Sequence, residues 1–348
     1  MMKAAVYHGP EDLRVEDLPK PDPGDRELLL KVQSASICGT DMRIFHGQHR
    51  MYPEGTTRIP GHEVVGTIAE TGKRLQGFKK GQKVFIAPNM GCGHCDQCIS
   101  GNNNLCKDYD AFGVTINGGF AEFMLIPEQA VRQGNIIPVD DAVDPAVAAL
   151  LEPFACVLRG HNAVNIQPGD IVLVIGAGPI GLMHTKLAKV RGAGLVIVSE
   201  PMPARADQAK TSGANFTINP LEQDLESRIM EITKNHGADV IITAAPVHKA
   251  QEDALSVAAI GGRVNFFGGL PKDNPTIQFN SNLVHYKELI ITGTTACSTA
   301  DCWQASRLVN QGLIDLSDLV SQRFNLDQAQ EAFASAENRN ALKIVIEP

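Results

Sequence analysis

Short apolar segments separated by turn formers mark the first part of the chain. Residues 27–32, 64–69, 83–87 and 120–126 are rich in apolar and β-branched side chains, and Pro21, Gly24, Gly72, Gly81, Gly118 and Gly119 punctuate them. Short strands with frequent turns predict a β-rich domain. The pattern changes near Asp144. Residues 171–175 form a continuous apolar run, as expected of a strand buried on both faces. A helical stretch at 179–191 follows, then a strand at 195–198 and a helix at 203–212. Further strands are predicted at 240–243, 263–267 and 289–292. This alternation implies an α/β domain, a parallel sheet with helices on both faces. Mixed character then returns, with helices at 300–311 and 326–336 and a closing strand at 342–346.

A chain of 348 residues accommodates two such domains. The net charge of −8 argues against a general nucleic-acid or anionic-membrane binder, because both reward a basic face. No apolar run approaches the length of a membrane span, and the N-terminal residues lack the apolar stretch of a secretion signal. The expected setting is the cytoplasm, where thiols stay reduced. Four of the eight cysteines fall between Cys92 and Cys106, which in a reducing compartment points to metal before disulfide.

Gly176-Ala177-Gly178-Pro179-Ile180-Gly181 follows the predicted strand and opens the predicted helix. The first glycine permits the tight turn, the second lets the backbone approach a pyrophosphate, and the third lets helix and strand pack closely. Free N–H groups at the helix start favour the phosphates. Glu200 ends the next strand, where a carboxylate accepts both ribose hydroxyls and repels a 2′-phosphate. NAD is therefore expected over NADP, although Arg205 offers a cation for a phosphate. The bland alternative is a packing turn with a surface glutamate.

Cys92, Cys95, Cys98 and Cys106 bring four thiols into one short loop. Four thiolates about 2.3 Å from a zinc ion complete a tetrahedron and leave no open position, so this zinc is expected to be structural. Iron–sulfur runs have a different fourth spacing. A nucleic-acid zinc ribbon wants basic neighbours, and here Asp96 and Asp108 flank the loop beside Lys107.

A second constellation is Cys38-Gly39-Thr40-Asp41, Gly61-His62-Glu63 and Glu152-Pro153. Cysteine, histidine and a carboxylate suit a three-ligand zinc with a fourth position left for water or an alcohol. Asp41 is of the type that accepts the second imidazole N–H. Taken singly, His62 reads as a structural histidine and Cys38 as a core thiol.

Taken together, CGTD at Cys38, GHE at His62, the four-cysteine lobe, GGFAEF at Gly118, EP at Glu152 and GAGPIGL at Gly176 resemble the zinc-dependent medium-chain alcohol dehydrogenases over essentially the whole chain. The resemblance implies a GroES-like catalytic domain from residues 1–147 and 296–348, with a Rossmann domain inserted at 148–295. It also implies two zinc ions, a nicotinamide cofactor and a homodimer or homotetramer. The glutamate at 152 is similar to that of the sorbitol (L-iditol) and threonine dehydrogenase branches. By that resemblance Cys38 and His62 ligate the catalytic zinc, with Glu63 or Glu152 supplying a carboxylate.

Thr40 matches the hydroxyl residue that accepts the substrate proton in that family. The next relay position, often histidine, is Arg43, which cannot act as a neutral base; His46, His49 or solvent would take its place. The segment 294–298, just after Gly293, has no arginine where sorbitol dehydrogenases often carry one, so the pocket is expected to be smaller and less charged. Cys156, Cys297 and Cys302 read as core or pocket-lining thiols. The expected activity is hydride transfer between the CH–OH group of a small polyol or sugar alcohol and NAD. The alternatives are a threonine or simple secondary-alcohol dehydrogenase, or a non-catalytic nucleotide-binding protein of the same fold.

Overall fold

A computed structural model describes residues 1–338 and 341–348. The chain divides into two units, one of residues Met1–Ala155 and Cys297–Pro348, the other of Cys156–Ala296; the division falls within the helix Leu151–Val164.

The first unit is built on a seven-stranded sheet. Its central strand, Leu28–Ser36, pairs antiparallel with Glu63–Thr71, Phe123–Ile126 and Lys343–Glu347. The predicted strands at 27–32 and 64–69 are present and run longer than predicted, whereas that at 120–126 is shortened to Phe123–Ile126. The closing strand explains why the chain end belongs with the chain start: Val345 lies opposite Ser36, and Ser36 lies opposite Glu63 on the other side. Phe333, on the helix Ala329–Glu337, packs edge-on against Phe120 at 5.7 Å between ring centroids and touches Phe45 at 5.4 Å. The hairpin Met2–Gly9 with Asp12–Leu18 and the helix Gly39–Phe45 carry no strong periodic signal. The helix is only seven residues long and is set by its cap rather than by an apolar stripe.

The second unit holds six parallel strands in the spatial order Phe216–Ile218, Leu195–Ser199, Ile171–Ile175, Ala238–Thr243, Ala258–Phe266 and Ile290–Gly293. Order 3-2-1-4-5-6 is the doubly wound arrangement of a Rossmann domain, with its switch point at the end of Ile171–Ile175. Leu173, Ile197, Ile241 and Val264 are fully buried and form the centre of its core. Among the described residues, no helix is long and apolar enough to cross a membrane.

Two histidines sit inside this unit. His161 and His184 are fully buried, and their rings stack at 5.1 Å with 8° between planes. Phe267 meets His184 edge-on at 4.6 Å. Neither ring has a hydrogen-bond partner among the described residues. Burial pushes His184 down to about 3 and holds His161 well below the ordinary histidine value, where the nearby His184 and Arg191 charges add to the effect. Both rings are thus neutral in the folded protein. In the unfolded chain each takes up a proton below about pH 6.5. Their contribution to stability is therefore fully present above that pH and is lost as pH falls, at up to about 1.4 kcal/mol per pH unit for each ring. Urea unfolding followed by circular dichroism at about pH 7 and about pH 5 checks this. The His161→Gln/His184→Gln double variant should lose markedly less stability on acidification than the unaltered chain, and equal losses would refute the assignment.

Candidate active site

Cys38 follows the strand Leu28–Ser36 after Ile37 and is the N-cap of the helix Gly39–Phe45. The third helical residue, Asp41, reaches back and accepts the Cys38 N–H at 2.9 Å, forming a capping box. Its other oxygen accepts the Gly61 N–H at 3.2 Å and lies 3.5 Å from His62 Nδ1. One fully buried carboxylate thus spans the two loops that carry Cys38 and His62. Because Nδ1 faces Asp41, Nε2 is the histidine nitrogen left for a metal. That Nδ1 contact is longer than a formed hydrogen bond.

Cys38 Sγ, a His62 ring nitrogen and a Glu63 carboxylate oxygen lie within 4.8 Å of one another. Glu63 is fully buried. Its Oε2 receives the Lys343 ammonium at 2.5 Å, whereas its Oε1 has no hydrogen-bond partner among the described residues. Lys343 Nζ also donates to the Ile37 carbonyl at 2.9 Å. Burial lifts Glu63 to about 7, and Lys343 opposes that lift. Burial would lower the Lys343 ammonium, but the Glu63 charge overrides it and holds it above the ordinary lysine value. Lys343 belongs to none of the sequence motifs. Its one signal is a lysine that opens the closing strand Lys343–Glu347 just before the apolar run Ile344-Val345-Ile346.

Glu152 lies in the first turn of Leu151–Val164 and is buried. Its charge acts on both Glu63 and Lys343. Its Oε1 faces the Cys297 thiol at 3.6 Å. The carboxylate that closes the 4.8 Å group with Cys38 and His62 is that of Glu63. Thr40, half-buried, accepts a hydrogen bond from Arg43 Nη2 at 3.2 Å. His46 turns to Glu337 at 3.1 Å, with Glu11 at 3.8 Å. His49 accepts the Met51 N–H and packs edge-on against Tyr52.

The four lobe cysteines also converge within 4.8 Å, with Cys95 and Cys106 sulfurs 3.8 Å apart. Cys95 caps the short helix Asp96–Ile99, which brings Cys98 round one turn. A side chain at Gly91 would collide with Cys98 Sγ, so the loop leaves that space for sulfur alone. The His94 and Cys95 backbone N–H groups pull the Cys92 thiol down to about 6. Burial pushes Cys98 up to about 12. A convergent set of four thiols, one already drawn toward thiolate, has the chemistry of a closed metal site.

In the second unit, Gly178 caps the helix Pro179–Val190, with Pro179 in its first turn. Gly176 has φ +102°. A Cβ on Gly181 would overlap the Gly176 carbonyl oxygen, so the turn admits only glycine at that position. The space beside Gly178 is open: a Cβ placed there would have Arg205 Nη1 as its nearest neighbour, at 3.9 Å. Glu200 is buried, and its two oxygens accept the Ala177 N–H at 2.7 Å and the Met202 N–H at 2.9 Å. These bonds fix the carboxylate at the mouth of the glycine turn, and each oxygen keeps a lone pair for a further donor.

Comparison with known proteins agrees with this geometry. Residues 24–139 match the model of the alcohol dehydrogenase GroES-like domain, and residues 179–311 match that of the zinc-binding dehydrogenases. L-threonine 3-dehydrogenase of Pyrococcus horikoshii is 37% identical over 339 residues, covering 96% of this chain and 93% of that protein. Sorbitol dehydrogenase of Bacillus subtilis is 32% identical, covering 100% and 97%. The crystal structure of a Sinorhizobium meliloti 1021 protein bound to NADP superposes with a TM-score of 0.92 at 30% identity, covering 100% of this chain and 99% of that one. The chain belongs to the zinc-dependent medium-chain alcohol dehydrogenases and is an NAD(P)-dependent alcohol dehydrogenase of that family.

Proposed function

We propose that this enzyme oxidises a secondary CH–OH group of a small polyol or sugar alcohol, with NAD as the acceptor. The observation that carries the reading is the Cys38–His62–Glu63 group, with its unpartnered Glu63 Oε1 and a sulfur and an imidazole within 4.8 Å. Three protein donors of these kinds suit a catalytic zinc that keeps one position for the substrate oxygen. Cys38, His62 and Glu63 would hold it, with Glu152 as the neighbouring carboxylate, while Cys92, Cys95, Cys98 and Cys106 would hold a second, structural zinc. Zinc bound at the first site would polarise a substrate hydroxyl and lower its pKa, and a bound nicotinamide would supply the hydride acceptor.

The chain's own residues then have defined tasks. Asp41 orients the Cys38 and His62 loops. Thr40, two residues from Cys38, takes the proton that the substrate hydroxyl releases. Arg43 donates to Thr40 Oγ1 and so orients the Thr40 hydroxyl. Glu200 would receive the adenosine ribose hydroxyls of a bound NAD, and Arg205, beside Gly178, would lie near its phosphates.

A second reading, L-threonine as substrate, is favoured by the 37% identity to a threonine dehydrogenase. Both substrates present a secondary alcohol beside a carbon that bears a polar group. The absence of an arginine just after Gly293 removes one fixed cation but leaves the choice to other pocket groups.

Turnover of a panel of polyols, aldonates and L-threonine, followed by absorbance of the reduced cofactor with NAD and with NADP, tests the reading. The polyols should give the highest kcat/KM, with NAD ahead of NADP. The Glu200→Ser variant should narrow or reverse the cofactor preference, since it removes the charge that repels a 2′-phosphate. Selective turnover of threonine would establish the second reading, and faster turnover with NADP in the unaltered enzyme would show that Arg205 dominates Glu200.

The relay is tested separately. Thr40→Ala should keep its zinc and bind NAD, yet lose on the order of 10²–10⁴-fold in turnover, as expected for loss of a proton-transfer group. Arg43→Ala should keep the shape of the pH–rate profile. Unchanged turnover in Thr40→Ala, or a lost acid limb in Arg43→Ala, would contradict this path.

A further inference from the structure

Cys297-Ser298-Thr299-Ala300-Asp301-Cys302 opens the helix Thr299–Asn310. Ser298 is the N-cap, and with Asp301 it forms a full capping box: Ser298 Oγ accepts the Asp301 N–H, and Asp301 Oδ2 accepts the Ser298 N–H at 2.9 Å. In this geometry the residue before the cap packs on the fourth helical residue, a pairing usually made by two apolar side chains. Here the two residues are Cys297 and Cys302. Their sulfurs lie 3.5 Å apart, and both residues are fully buried. Cys297 Sγ also faces Glu152 Oε1 at 3.6 Å, and its carbonyl is held by the Asn89 side chain at 2.9 Å.

We propose that Cys297 and Cys302 form a reversible disulfide under hydroperoxide stress, and that this bond lowers turnover by withdrawing the Cys297 S–H from Glu152. The capping box already holds the two sulfurs in van der Waals contact. Closing to a bond of about 2.0 Å shortens a contact that the fold already makes between the two sulfurs. The chemistry balances. One thiolate attacks the O–O bond, giving a sulfenic acid and water, and the second thiol displaces the sulfenic oxygen as a second water. Two S–H bonds and one O–O bond are broken, one S–S and two O–H bonds form, the thiols are oxidised to the disulfide, and the peroxide is reduced to two waters. Burial restricts the reaction to oxidants of about the size of hydrogen peroxide and shields the bond from bulky reductants, so a small dithiol is the reductant to use.

Bond formation is read by mass and does not depend on the substrate reading; only the effect on turnover rests on the role of Glu152 in the proposed site. The intact holoenzyme is exposed to hydrogen peroxide, denatured in an alkylating agent and digested with trypsin. The peptide from Glu288 to Arg307 carries both cysteines. It should shift from a doubly alkylated form to an unalkylated form lighter by two hydrogens. Turnover should fall on the order of tenfold, the equivalent of one hydrogen bond to a charged group, while zinc stays bound and a small dithiol restores the rate. Cys302→Ala and Cys302→Ser should match the unaltered enzyme before oxidation and resist inactivation by peroxide. A peptide that keeps both thiols while activity falls, or inactivation of the Cys302 variants at the unaltered rate, would overturn the proposal. A disulfide that forms without any change in turnover would overturn its coupling to Glu152.

Discussion

The buried carboxylate of Asp41 is the constraint on which the first unit's chemistry rests. It caps the helix that Cys38 begins, accepts the Gly61 N–H and faces His62. A charge with no exposure to water is tolerated only when donors surround it, and here the donors are the backbones of the two loops that carry Cys38 and His62. Satisfying Asp41 and aligning those two side chains are therefore the same event. Removing the carboxylate would free both loops at once, which is a larger effect than the loss of one hydrogen bond.

A second buried pair extends the same logic to the end of the chain. Lys343 arrives on the last strand, and the sheet register sets it beside Glu63 across Ser36 and Ile37. The ammonium occupies one oxygen of Glu63 and leaves the other free beside a thiol and an imidazole. The charge of Lys343 thus favours an ionised carboxylate where burial alone would favour its neutral form. The chain end is a structural partner of the site and not an appendage to it.

Much of this is legible in the sequence, for identifiable reasons. The Rossmann strands are apolar on both faces, so Ile171–Ile175 and Leu195–Ser199 stand out as continuous runs. Phe216–Ile218 does not, because it is a three-residue edge strand whose Phe216 is exposed. The four lobe cysteines and Cys38, His62 and Glu63 are visible as residue types with metal chemistry, and the fold brings each set together. What stays hidden depends on contacts across long stretches of chain. Lys343 is 280 positions from Glu63. Cys297 is 145 positions from Glu152. The contact of Arg43 with the Thr40 hydroxyl likewise needs the turn of a helix that has no periodic apolar face.

Anomalous X-ray scattering at the zinc edge, on crystals of the purified holoenzyme, tests the proposed metal chemistry most directly. Two zinc peaks per chain are expected. One should sit among the sulfurs of Cys92, Cys95, Cys98 and Cys106. The other should be bound by Cys38 Sγ, His62 Nε2 and the Glu63 oxygen that Lys343 does not hold. A single peak confined to the four-cysteine lobe, or a second zinc held without Cys38 and His62, would contradict it.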